Sequence, residues 1–178
     1  LVVSSMTKQG TSRDPFKPLS DAGARVEYFP TAADLAGIRA DVTRLAEITA
    51  RKKEGEAVIE KMNREIARIA AIAKTIPQDK RRSVVFEISS APDIYSFGKG
   101  VYLNELLETA GAVNALGNET GWVSVSAETV VAANPDVILT NVSGIADPVA
   151  EISSRPGWSG MQAVKNRRIY RIDSASSS

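Results

Sequence analysis

The sequence predicts an α/β protein: a three-layer, parallel-sheet lobe preceded by a long connecting α-helix and the remnant of a first α/β lobe. Three observations predict it. Short strand-like runs at 83–88, 137–140 and 168–172 alternate with stretches of helical periodicity, the pattern of a parallel sheet with right-handed crossovers. Apolar residues at 59, 62, 66, 69, 73 and 76 step by three and four, the spacing of one long helix. The chain has 178 residues, 43% hydrophobic and 24% charged, which excludes a disordered or collagen-like chain.

Taken in order, residues 1–5 read as a buried strand and 8–15 as a loop by composition. Residues 16–22 suit a short helix stopped at Gly23, and 25–29 alternate in strand fashion up to Pro30. Thr31 is a fair N-cap for a helix carrying Leu35, Ile38, Val42 and Leu45. Residues 1–50 therefore form the N-terminal remnant. Residues 51–77 form a long helix, packed along one domain or joining two, which runs about 35 Å from Lys52 and stops before Pro77. Gly55 is a weak point near its start.

Residues 78–178 form the C-terminal lobe. Strand 83–88 leads to a loop at 89–100, and a helix at 101–110 ends at Gly111. A second loop, 118–124, precedes a short helix at 126–133 that closes at Asn134-Pro135. Strand 137–140, a helical stretch at 147–153 and strand 168–172 follow. The unusual starts and stops of the chain read as those of a piece of something longer.

Composition removes whole classes of chemistry. There is no cysteine and no histidine, so thiolate nucleophiles, Ser-His-Asp triads, Cys/His zinc sites and a histidine haem ligand are excluded from this chain. Charges nearly cancel, 22 basic against 21 acidic, so no basic field calls for nucleic acid. No cofactor or metal is expected.

In parallel sheets, ligands sit beyond the carboxyl ends of the strands. That rule selects the loops after residues 5, 88 and 140, and with them Met6, Tyr95, Phe97, Asn141 and Ser143. Trp122 lies in a further loop flanked by polar residues. Its indole is either a plug at a core edge or a flat apolar wall for a planar ligand, and Tyr95 and Phe97 offer the same choice. Gly98-Lys99-Gly100 precedes a helix as a phosphate loop does, but Leu103 stands where a third glycine belongs and no G-K-[ST] follows. Glu128, two residues after the N-cap Ser126, complements the helix dipole. Trp158 reads as packing.

The run Gly98-Lys99-Gly100-Val101-Tyr102-Leu103-Asn104-Glu105-Leu106-Leu107-Glu108-Thr109-Ala110-Gly111-Ala112-Val113-Asn114 carries a resemblance. So does the block from Trp122 through Ser126-Ala127-Glu128 to Asn134-Pro135-Asp136-Val137-Ile138, and so does the ending from Trp158 through Ala163-Val164-Lys165-Asn166-Arg167-Arg168-Ile169-Tyr170. In this order and spacing they resemble the substrate-binding proteins of ABC importers that capture ferric siderophores, haem and cobalamin. The resemblance implies two α/β lobes joined by a rigid helix, with the ligand between them. It implies Trp122 at the ligand and Glu128 docking onto an arginine pocket of a membrane permease, with a counterpart carboxylate upstream of Leu1. It further implies a large chelate ligand, no enzymatic reaction, and an extracytoplasmic site, either periplasmic or lipid-anchored. A nucleotide-using enzyme or regulatory domain on a doubly wound sheet is the alternative, and a dimerisation module on the 52–76 helix is a third reading.

Overall fold

The computed structural model describes the backbone at residues 2–3 and the chain from 14 to 173, so Met6 lies outside the described residues. Two compact units divide the chain, Leu1–Ile59 and Glu60–Ser178.

In the first unit, β1 (Val2–Val3) pairs in parallel with β2 (Glu27–Tyr28). Between them lies α1 (Lys17–Asp21), followed by Gly23 at φ +86°, a conformation that costs glycine little. Asp14 holds the connection together. Its carboxylate accepts from the Phe16 backbone N–H at 2.9 Å and from the Tyr28 hydroxyl at 2.6 Å. That second bond stabilises the neutral phenol and pushes its pKa up to about 12.

Helix α2 (Leu35–Ile48) follows, and here the expected cap shifts by three residues. Asp34, not Thr31, caps it, because Asp34 has the extended backbone and its Oδ1 accepts from Gly37 N at 2.7 Å. Gly55 in α3 (Lys52–Ala73) is a close-packing point and not a weakness. A Cβ there would sit 2.4 Å from the Ala46 Cβ, so only glycine lets the two helices approach this closely.

The second unit is the three-layer lobe. Its sheet has the order β5–β3–β7–β8, all parallel: β3 is Ser83–Glu87, β5 Val113–Asn114, β7 Val137–Thr140 and β8 Ile169–Arg171. Strand alternation sends Val84 and Phe86 to one face and Val85 to the other. The first face buries Phe97, Val101, Leu103 and Leu107, the last two from α4 (Tyr102–Thr109). The other face buries Val130 of α5 (Ala127–Ala133), Ile152 of α6 (Pro148–Ser154), Ala163 of α7 (Gln162–Lys165) and Trp158. The expected strands and helices of this lobe are present. Strand β5 and helix α7, two and four residues long, were not foreseen.

Asp136 ties the starts of β3 and β7 together. Its carboxylate accepts from Ser83 N at 3.0 Å, and the Ser83 hydroxyl accepts from Asp136 N at 3.0 Å. The Ser83 N–H holds the Asp136 carboxyl below the usual carboxylate range. A carboxyl lowered in the folded state stabilises above its unfolded pKa of about 4, and that contribution is lost as pH falls further. Asp136→Asn is therefore expected to melt earlier than the parent at pH 7, with the gap narrowing below about pH 4. Paired thermal melts at pH 7 and pH 3 check this; an unchanged gap overturns it.

The loops expected at 89–100 and 118–124 instead hold a second, two-stranded sheet. β4 (Ile94–Phe97) and β6 (Trp122–Val125) pair antiparallel, with Tyr95 opposite Ser124 and Phe97 opposite Trp122. Gly98 seals the end of this ribbon. A Cβ there would lie 2.1 Å from the Glu119 carbonyl oxygen, a backbone atom that cannot rotate away. Gly98→Ala is expected to cost about 1–3 kcal/mol through overpacking, read as a lower urea midpoint.

Candidate functional site

The ribbon grows from the carboxyl end of β3: Ile88 N donates to Tyr95 O at 2.8 Å, one residue past Glu87. Its two-residue period sets which side chains share a face. Ile94 and Ser96 point to the buried side, at 0% and 1% exposure. Tyr95, Phe97, Trp122 and Ser124 share the other side.

On that side three rings surround the Trp122 indole. Tyr95 lies nearly parallel to it, with centroids 6.2 Å apart and 10° between planes. Phe97 meets it edge-on at 6.0 Å, and Tyr102 of α4 does so at 6.1 Å. Each geometry is one that aromatic quadrupoles favour. The rings grade outward from the core. Phe97 is 1% exposed and packs on Phe86 at 5.8 Å; Trp122 is half-buried; Tyr95 is 38% exposed.

This grading corrects one expected ligand contact. Phe97 is too deeply buried to touch a ligand and serves as the floor under Trp122. Tyr102 of α4 completes the aromatic face at its edge.

Asn141 and Ser143 follow β7 at the same end of the sheet, since Glu87 and Thr140 are register partners and Asn141 N donates to Glu87 O at 3.2 Å. Asn141 is half-buried and Ser143 exposed. The Thr140 hydroxyl accepts from Val142 N at 3.2 Å and fixes the turn between them.

Beneath this end of the sheet lies a group the sequence did not disclose. Glu87 is 1% exposed, and Arg155 grips it with both terminal nitrogens, at 2.6 and 2.8 Å. Arg155 also binds Glu151 through Nε and Nη2, at 2.9 and 2.6 Å, and its guanidinium lies 4.5 Å over the Trp158 ring. Burial alone would lower the Arg155 pKa; the hydrogen bonds it donates to Glu87 and then Glu151 outweigh it, and the net shift is upward. The one clue was a carboxylate inside the apolar strand Val84-Val85-Phe86-Glu87-Ile88.

Glu128 sits in the first turn of α5, exposed, after the N-cap Ser126 whose hydroxyl accepts from Thr129 N at 3.3 Å. The Ser126 hydroxyl, and then its own backbone N–H, hold the Glu128 carboxyl below the usual carboxylate range, so it is anionic at neutral pH. It forms no ion pair among the described residues.

The glycines of the 98–100 turn have structural work to do, close approach at Gly98 and φ +79° at Gly100. Among the described residues, no three His, Cys, Asp or Glu side chains converge as a metal site, and no helix is long and apolar enough to cross a membrane.

A family model described as periplasmic binding protein matches residues 1–176. The ABC transporter substrate-binding lipoprotein YvrC of Bacillus subtilis, itself uncharacterised, is 34% identical over 97% of this chain and 54% of its own length. The molybdate-binding protein MolA of Haemophilus influenzae is 29% identical over 84% of this chain and 43% of its own. The crystal structure of a possible iron-binding periplasmic solute-binding protein from Staphylococcus epidermidis superposes with a TM-score of 0.77 at 26% identity, covering 98% of this chain and 68% of that one. The chain thus spans about half the length of the curated relatives it matches.

Proposed function

We propose that this chain, which belongs to the periplasmic binding protein family, is the ligand-holding and permease-docking part of an ABC importer's substrate-binding component. The family is one of solute-binding transport proteins and not of enzymes. Capture needs no nucleophile and no base, in keeping with a chain without Cys or His.

The ligand class is a large, flat chelate: haem, a cobalamin-type corrinoid or a ferric siderophore. The observation that carries this reading is the Trp122 indole set nearly parallel to the half-exposed Tyr95 ring, over the buried Phe97. Such a surface offers apolar area and ring faces, which suit a planar macrocycle better than a small, strongly hydrated oxyanion. Asn141 and Ser143, at the same sheet end, supply polar contacts to the ligand's rim. Calorimetric titration of the complete protein with haem, cyanocobalamin, a ferric siderophore and molybdate tests this. Binding of a macrocycle or ferric chelate is the expected result; binding of molybdate alone overturns it.

Glu128 is the permease-docking group, exposed, anionic and without an ion-pair partner in its own unit. A surface ion pair contributes about 0–1 kcal/mol, so Glu128→Gln is expected to reduce uptake by roughly 2- to 5-fold. Ligand affinity, measured separately, is expected to stay at the parent value. Equal loss of both overturns the assignment. The site of action is extracytoplasmic, with the permease in the membrane as partner.

A further inference from the structure

Beside Glu128 lies a concavity of about 270 Å³, lined by Ala127, Glu128 and Val131 of α5 and by Pro156, Gly157 and Trp158. Its walls are apolar except for the carboxylate. Gly157 sits at φ +81°, and a Cβ there would meet nothing within 4 Å, so the hollow is open at that side. The volume falls below the roughly 300–1,000 Å³ of small-molecule pockets. It suits one bulky side chain of a protein partner, the form that interface anchors take.

We infer that this hollow is a socket for one large apolar side chain of the permease, presented beside the cation that pairs with Glu128. The inference rests on the docking role proposed for Glu128. Charge complementarity fixes the occupant. The one charged group on the rim is a carboxylate held in its anionic form, and no cation of the described chain pairs with it. An occupant must therefore bring a positive charge and an apolar side chain close together. The ion pair supplies orientation and encounter rate, while the apolar anchor supplies the slow dissociation that a lone surface pair does not.

The test uses the complete protein and its ABC permease complex reconstituted in nanodiscs, with docking read as a dissociation constant at low salt and at 1 M salt. Ala127→Leu fills the socket. Gly157→Asn places a polar group in it from a position where asparagine tolerates the left-handed backbone. Each is expected to weaken docking about 10-fold, the scale of one lost apolar anchor. That loss persists at 1 M salt, whereas the Glu128→Gln loss disappears there, because screening reaches about 3 Å. If Glu128→Gln weakens docking and both socket variants dock like the parent, the socket is overturned and the docking role stands. If none of the three weakens docking, both fall. If the protein pairs with a second copy and the socket variants abolish that pairing instead, the occupant is the copy and the inference is overturned. Should Ala127→Leu fail to fold, Gly157→Asn decides alone.

Discussion

Replacing Arg155 with alanine lowers stability by about 3–5 kcal/mol. The reason is the charge it leaves behind. Glu87 is 1% exposed, and its two carboxylate oxygens are gripped by Arg155 Nη1 and Nη2. Without the guanidinium, a buried carboxylate remains inside the lobe with nothing to compensate its charge. Trp158 also loses the cation that covers its ring, and Glu151 loses both its bonds. For a chain of this size the loss corresponds to a melting point lower by roughly 10 °C.

The control is the double variant Glu87→Met with Arg155→Met. A buried ion pair replaced by apolar side chains of similar volume is often neutral, so the double variant is expected to melt closer to the parent than Arg155→Ala does. A double variant as unstable as the two single losses added together would sink this account. The effect also reaches the candidate site. The Glu87 carbonyl accepts from Asn141 N, and the next residue, Ile88, opens the ribbon that carries Tyr95. Loosening Glu87 therefore blurs the aromatic face as well.

Trp122→Ala carries the second large effect, on ligand affinity. A tryptophan buries about 150–250 Å² in an interface. If the ligand covers half of that, at about 25 cal/mol per Å² the loss is roughly 2–3 kcal/mol, or on the order of 100-fold. Trp122→Phe keeps a flat face and is expected to cost about 10-fold or less. Calorimetry on the complete protein reads both. An alanine variant that binds as tightly as the parent moves the ligand off this face.

The long helix, the strands β3, β7 and β8 and the capped helices α5 and α6 between them were legible because each signal is local. Periodicity, a Pro or Gly stop, and a cap such as Ser126 all lie within a few residues of what they determine. The ribbon was not legible. Its strands are four residues each, fringed by Pro92, Gly98, Gly100 and Gly121, and their pairing joins residues 25 to 31 apart. Glycine there reads as loop, whereas its use is to let Gly98 pass against the Glu119 backbone.

The same limit explains the error at Phe97. Composition offers Tyr95, Phe97 and Trp122 as three equal aromatics; Phe86 and the α4 leucines decide which one is sealed in. The Glu87–Arg155 pair spans 68 positions, and nothing near either residue announces the other. Trp122 stood out as an aromatic among polar neighbours and Glu128 as a first-turn carboxylate; family likeness gave each its role, and their exposure is what the structure adds.

The two tryptophans are the chain's complete set, and their surroundings differ. Trp158 is sealed at 1% exposure beneath a guanidinium, while Trp122 is half-buried among other rings at the candidate ligand face. They are two separate optical reporters. Emission from Trp158 shifts to the red when the lobe opens, and emission from Trp122 changes when a chromophoric cargo lands beside it. Trp122→Phe isolates the Trp158 signal, so comparing it with the parent separates unfolding from loading without any label.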